Sequence, residues 1–197
     1  MKNRFPHAAG VVALLVLTPG PSTATTLLKL SVEEMSRQAE LIVTGKVTQV
    51  ASQWSSDQTT IYTFTTVQVM KCVAGACGEK VLLKHRGGTV GDRTLSIPGT
   101  PELSQGQEVL LFLRKDPEGE KGYFAVVGMC QGLFAIEKGK GGQQATAVQK
   151  LGDVALAEPG EAGSIKITPG KEPIKMPLKS LLITIKNGRK ALPKSED

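Results

Sequence analysis

The chain has 197 residues, of which 40% are apolar, enough for one domain with a core of ordinary size and some peripheral segments. Aromatic residues make up only 4%, so aliphatic side chains must fill most of that core. Its 24 Lys and Arg against 18 Asp and Glu give a formal charge of +6, a mild excess for which solubility is the favoured reading and attraction to an anionic partner such as a membrane surface or nucleic acid the alternative.

The first 24 residues have the three parts of an export signal. Lys2 and Arg4 form the positive start, Val11 to Leu17 is an apolar run of seven, and Pro19, Gly20 and Pro21 break it. Ser22-Thr23-Ala24 then places small residues before a cut after Ala24, which predicts a secreted or periplasmic mature chain. The run is far shorter than the ~20 apolar residues of a spanning helix, and no later run is long enough, so no transmembrane segment is expected. No Cys stands at the cut to carry a lipid anchor, and no Arg-Arg pair marks the export route for folded proteins.

Ser31-Val32-Glu33-Glu34 reads as a capping box, so a short helix should run through Ala39 with Val32, Met35 and Ala39 buried. Leu41, Val43, Gly45 and Val47 alternate with polar residues, the period of a half-buried strand, and Gly45 inside it predicts a bulge or a sharp bend. Ser52 to Thr60 is polar and should be a hairpin tip. Ile61 to Lys71 is the second strand, with Ile61, Val67 and Val69 on one face and Tyr62, Phe64 and Met70 on the other. Val81-Leu82-Leu83 begins the third strand, which Gly87-Gly88 ends. Thr89 to Gln107 reads as a long loop with one short strand near Leu95, and long ordered loops of small domains often carry function.

Val109 to Leu113 is apolar throughout and reads as the central strand, covered on both faces. Asp116-Pro117-Glu118-Gly119 is a turn by composition, Tyr123 to Val127 the fifth strand and Leu133 to Ile136 a short sixth. Lys138 to Gln144 should be a flexible tip, and Ala145 to Leu156 a small outer hairpin about Gly152-Asp153. Residues 157–176 are rich in Gly, Pro and charge and read as a linker or loop. Leu178, Leu181, Leu182 and Ile185 return at helical spacing, so a C-terminal helix over 177–192 should pack back on the sheet. The prediction is a mainly β fold: a small curled OB-like barrel of five to six strands over 25–156, with a short N-terminal and a C-terminal helix.

The order of elements resembles an OB-fold of the netrin-like type, the fold of the tissue inhibitors of metalloproteinases. The resemblance rests on the leading helix into Leu41-Ile42-Val43-Thr44-Gly45-Lys46-Val47, the hairpin to Tyr62 through Lys71, and Gly106-Gln107-Glu108-Val109-Leu110-Leu111-Phe112 after a long loop. The same layout, over about Ser31 to Ile136, is similar to that of a group of uncharacterised exported bacterial proteins. The resemblance implies protease inhibition as one function. The inhibitors chelate the protease zinc with an N-terminal Cys, whereas the predicted mature start here is Thr25-Thr26-Leu27, so no inhibitory residue is carried over.

Three cysteines are present. Cys72 and Cys77 enclose Val-Ala-Gly-Ala between two strands, where a hairpin mouth could bring them to bridging distance; this disulfide is the first expectation for an exported chain. Cys130 is then a free thiol; its pairing with Cys72 or Cys77 is the alternative. His85 is the sole His beyond the leader and stands at a strand end beside Lys84 and Arg86, where a solvated imidazole is the ordinary outcome. Gly128-Met129-Cys130-Gln131-Gly132 matches G-x-C-x-G, but a nucleophile elbow needs a helix after the turn, and here strand-like runs lie on both sides. Cys72, Cys77, His85 and Cys130 form a poor zinc set, because export favours disulfides and the Cys-x4-Cys spacing is loose.

No Gly-rich phosphate cradle precedes a helix, and no cofactor is predicted. Tyr62, Phe64, Tyr123 and Phe124 read first as core aromatics, and export argues against nucleic acid as a partner. Ser164 to Asp197 holds eight Lys or Arg against three acids, which a solvated helix face explains as well as an anionic surface does. The leading functional expectation is a non-catalytic binding module for an unknown protein or surface ligand, with Thr89 to Gln107 and Ser52 to Thr60 as its surface. Metalloprotease inhibition and a Cys130- or His85-dependent hydrolase are the alternatives.

Overall fold

The computed structural model describes residues 25–139, 141, 143–170 and 172–190, so the predicted leader and its cleavage site lie outside the described residues. The elements are β1 (Thr26–Leu28), α1 (Val32–Gln38), β2 (Leu41–Trp54), β3 (Ile61–Ala74), β4 (Lys80–Arg86), β5 (Gly88–Val90), β6 (Arg93–Leu95), β7 (Glu108–Lys115), β8 (Tyr123–Val126), β9 (Leu133–Glu137), β10 (Thr146–Gln149), β11 (Ala155–Pro159), β12 (Ile165–Pro169), β13 (Ile174–Pro177) and α2 (Leu178–Lys190). The chain is mainly β with two helices, and has more strands than the five to six expected. Among the described residues no helix is long and apolar enough to cross a membrane.

Five strands form a closed ring of hydrogen-bonded pairs. β2 pairs antiparallel with β3, β3 antiparallel with β4, β4 parallel with β8, β8 antiparallel with β7, and β7 antiparallel with β2. From β7 the sheet continues outward through β9 and β10 to β13. The period-2 pattern explains why the run at β7 is apolar throughout. Val109, Leu111 and Leu113 point into the ring with Val43, Val47, Val67, Val81 and Leu83, while Leu110 and Phe112 point to a second core under the helices. That second core joins Ile42, Phe134 and Ala147 to Met35 and Ala39 of the α1 segment and to Leu181 and Ile185 of α2.

The capping box of α1 is formed: the Glu34 backbone N–H donates to Ser31 Oγ at 3.1 Å, and the Ser31 N–H donates to Glu34 Oε2 at 2.7 Å. Arg189 of α2 closes the other end, its Nη1 donating to the carbonyls of Ser36 and Ala39 at 3.1 and 2.7 Å. The register of β2 on β3 shifts between Thr44 and Gly45, as the glycine predicts. A Cβ at Gly45 would run into the Gln68 carbonyl and the Val67 side chain across the pair.

Three expectations are corrected. The stretch 157–176, read as a linker, contains β12 and most of β13; β12 is exposed along its whole length and is held by backbone pairing to β11, so burial leaves no pattern in its sequence. Ala145 to Leu156 is not a hairpin, because β10 pairs with β9 and β13 whereas β11 pairs with β1 and β12. Thr89 to Gln107 holds the short strand expected near Leu95, as β6, but that strand pairs with β5 in a small hairpin that the loop reading lacked.

Candidate functional site

β4 and β8 pair only at Leu82 with Tyr123 and Leu83 with Phe124. Beyond that seam the ring parts, and a cleft of about 320 Å³ opens between Lys84–Arg86 on one side and Ala125 and Val126 on the other. Ile97, Thr100 and Pro101 of the long loop line it, with Arg114 and Met129.

The outer face of β3 and β4 forms one wall. Tyr62 stands opposite Arg86 and Phe64 opposite Lys84, so two rings and two cations share one face at period-2 spacing. The rings of Tyr62 and Phe64 lie 6.4 Å apart, and those of Phe64 and Tyr123 pack edge-on at 5.4 Å. All three are half-buried and sit outside the ring, which corrects the reading of these residues as core. The Lys84 ammonium lies 4.4 Å from the Tyr62 ring centroid.

The turn from β7 to β8 supplies the counter-charges. Asp116 folds it, accepting from the backbone N–H groups of Glu118 and Glu120 at 3.3 Å each. Lys84 Nζ donates to Glu118 Oε2 at 2.9 Å and Glu120 Oε2 at 2.7 Å, and lies 3.8 Å from Asp116 Oδ2. Glu118 Oε1 accepts from Arg86 Nε at 2.9 Å and from the Tyr62 hydroxyl at 3.0 Å. Burial works against the Lys84 charge, but the bonds to Glu120 and Glu118 outweigh it and raise the Lys84 pKa. The bond from Lys84 is the main cause that lowers the pKa of Glu118. Three cations, Lys84, Arg86 and Arg114, therefore face three carboxylates, and the site carries no net charge.

His85 lies on the other face of β4, opposite Thr63. It is half-buried rather than solvated, because its neighbours belong to the mouth of the ring. Its Nδ1 lies 3.0 Å from the Arg86 carbonyl, and burial lowers its pKa, so the imidazole is neutral at pH 7.

The other singled-out residues do not join this site. Cys72 and Cys77 stand at disulfide distance, with Cα atoms 5.8 Å apart; Cys72 lies near the end of β3 opposite Val43, and Cys77 in the connection to β4. Cys130 is unpaired and buried with Leu151, Val154 and Leu156, and burial pushes its thiol pKa up. The G-x-C-x-G segment is a short excursion from the edge of β7, between Val127 and Leu133, closed by the Gly132 N–H on the Val127 carbonyl at 2.9 Å. A strand, not an α-helix, follows it. The hairpin tip is tied to itself through Ser55, Asp57, Thr59 and Thr60 and does not line the cleft. Among the described residues no group of three or more His, Cys, Asp or Glu is placed to hold a metal ion.

Sequence reading passed over Lys84 and Glu118. The available signal was the i, i+2 spacing in Tyr62-x-Phe64 and Lys84-x-Arg86, together with an acidic turn at Asp116 to Glu120. No family model matches the chain, and no curated protein matches it in sequence.

Proposed function

We propose that this chain is an exported, non-catalytic binding module of the OB-like, netrin-like type, and that its ligand surface is the Tyr62–Phe64–Lys84–Arg86 face with the cleft beside it. The closed order of β2, β3, β4, β8 and β7 fits a five-stranded Greek-key barrel, and OB-folds bind ligands on the face of their second and third strands and the adjoining loops. In this chain those strands correspond to β3 and β4, and the Asp116–Glu120 turn is one of those loops.

The observation that carries the reading is the pairing of half-exposed rings with cations already held by carboxylates. A polyanion would find no net attraction there, whereas an uncharged polar chain, an oligosaccharide above all, would meet flat apolar rings flanked by hydrogen-bonding groups. The neutral His85 and the protonated, buried Cys130 thiol support binding rather than catalysis, since neither has a base or carboxylate partner in hydrogen-bond reach.

A glycan array probed with the purified protein tests this. We expect retention of at least one neutral oligosaccharide, weakened at least tenfold by Tyr62→Ala with the fold intact by circular dichroism. No retention, or retention unchanged in Tyr62→Ala, would overturn the assignment.

A further inference from the structure

Helix α2 buries Leu181, Ile185 and Gly188 and leaves the opposite stripe, Lys179, Ile183, Lys186 and Lys190, in solvent. Beside that stripe runs a groove of about 620 Å³ between α2 and the end of β3. Its floor is aliphatic, from Val73, Ala74 and Leu182, and Lys71 stands on the strand side. Ile183 is 53% exposed, and Met70, next to Lys71, is 61% exposed. No carboxylate lines the groove, and among the described residues none pairs with Lys71, Lys179, Lys186 or Lys190. The fifth cation, Arg189, is held by the α1 carbonyls.

We infer that this groove docks the protein on a bilayer surface rich in anionic lipid. Two chemistries must be met at once: four ammonium groups with no carboxylate partner among the described residues, and an aliphatic strip between them. A bilayer interface supplies phosphates for the lysines and an acyl boundary for Ile183, with the lysine stems lying along it. A single-stranded nucleic acid would satisfy the charges but would find no ring to stack on, because no aromatic residue lines the groove. The groove lies on a helix face that the Tyr62 site does not share, so the inference stands apart from the proposed ligand face.

The test is partition of the full chain onto vesicles of phosphatidylcholine alone and with one-third phosphatidylglycerol, at low and high salt. We expect preference for the anionic vesicles, weakened by salt. Lys179→Gln with Lys186→Gln should lower partition about 25-fold, at about fivefold per lysine. The variant keeps residues 1–24, so whatever those contribute cancels in the ratio. A Trp placed by Ile183→Trp in a Trp54→Phe background should shift to the blue on binding. Equal partition to both vesicles, an unchanged double variant, or a Trp that does not shift would each overturn the proposal. So would binding of a soluble acidic amphipathic peptide without any vesicle binding, which would reassign the groove to a protein partner.

Discussion

The side-chain amide of Gln131 grips the backbone on both sides of Lys29: its Oε1 accepts from the Leu30 N–H and its Nε2 donates to the Leu28 carbonyl, each at 2.9 Å. Gln131 is 2% exposed and both bonds are part-buried, so replacing the amide leaves the Leu30 N–H and the Leu28 carbonyl without this partner. Gln131→Leu should destabilise the protein by roughly 2–4 kcal/mol in urea unfolding and speed hydrogen exchange at Leu30. A change within about 0.5 kcal/mol would show that β1 does not depend on this grip.

Lys84 and Glu118 give an acid-dependent stability. The Lys84 side chain is only 9% exposed, but its partners Glu118 and Glu120 are 33% and 48% exposed, so solvent screens the cluster. Lys84→Met should therefore cost about 1–2 kcal/mol, less than a fully buried pair. The folded pKa of Glu118 is lowered, mainly by the bond from Lys84 and against its desolvation. Its contribution is complete above the ordinary value of 4.5 and is lost as pH falls through the lower folded value. Glu118→Gln should flatten Tm against pH below 4.5 and leave the curve above neutrality parallel to the parent's.

His85 works in a higher window. Burial depresses its pKa below the ordinary 6.5, and the Arg86 carbonyl offsets this only in part. The folded protein thus binds fewer protons than the unfolded chain just below pH 6.5, so stability is full above that pH and declines beneath it. His85→Gln should remove that slope. A parent protein that gained stability on acidification from pH 7 to 6 would contradict the assignment.

Opening the Cys72–Cys77 bridge releases a loop closed over a separation of five residues. Chain entropy puts its contribution at about 2 kcal/mol, a Tm loss of about 4–8 °C for a chain this size. Cys72→Ser with Cys77→Ser should reproduce the effect of reductant, and reductant should then do nothing more. If reductant still lowers Tm in that variant, Cys130 is engaged in a bond outside this account.

Much of the fold was legible where burial is one-sided or complete. The capping box at Ser31–Glu34, the alternation from Leu41, the covered run at Val109–Leu113 and the returning heptad at Leu178–Ile185 all reappear as α1, β2, β7 and α2. The close Cys72–Cys77 pair was legible too, because the four residues between them can only make a short loop. The candidate site was not. Lys84 lies between Leu83 and His85 and reads as an ordinary strand lysine, and the acids that hold it come 34 and 36 positions later.

What the sequence determined by itself is the set of faces: which side chains leave water, at period 2 or 3.6, and where glycine and proline let the chain turn. Tertiary structure alone decided which faces meet. The parallel meeting of β4 and β8, its early end at Leu83, and the charge cluster that fills the gap depend on strands far apart in the chain. Backbone pairing between such strands needs no particular side chain, so it leaves little trace in the order of residues.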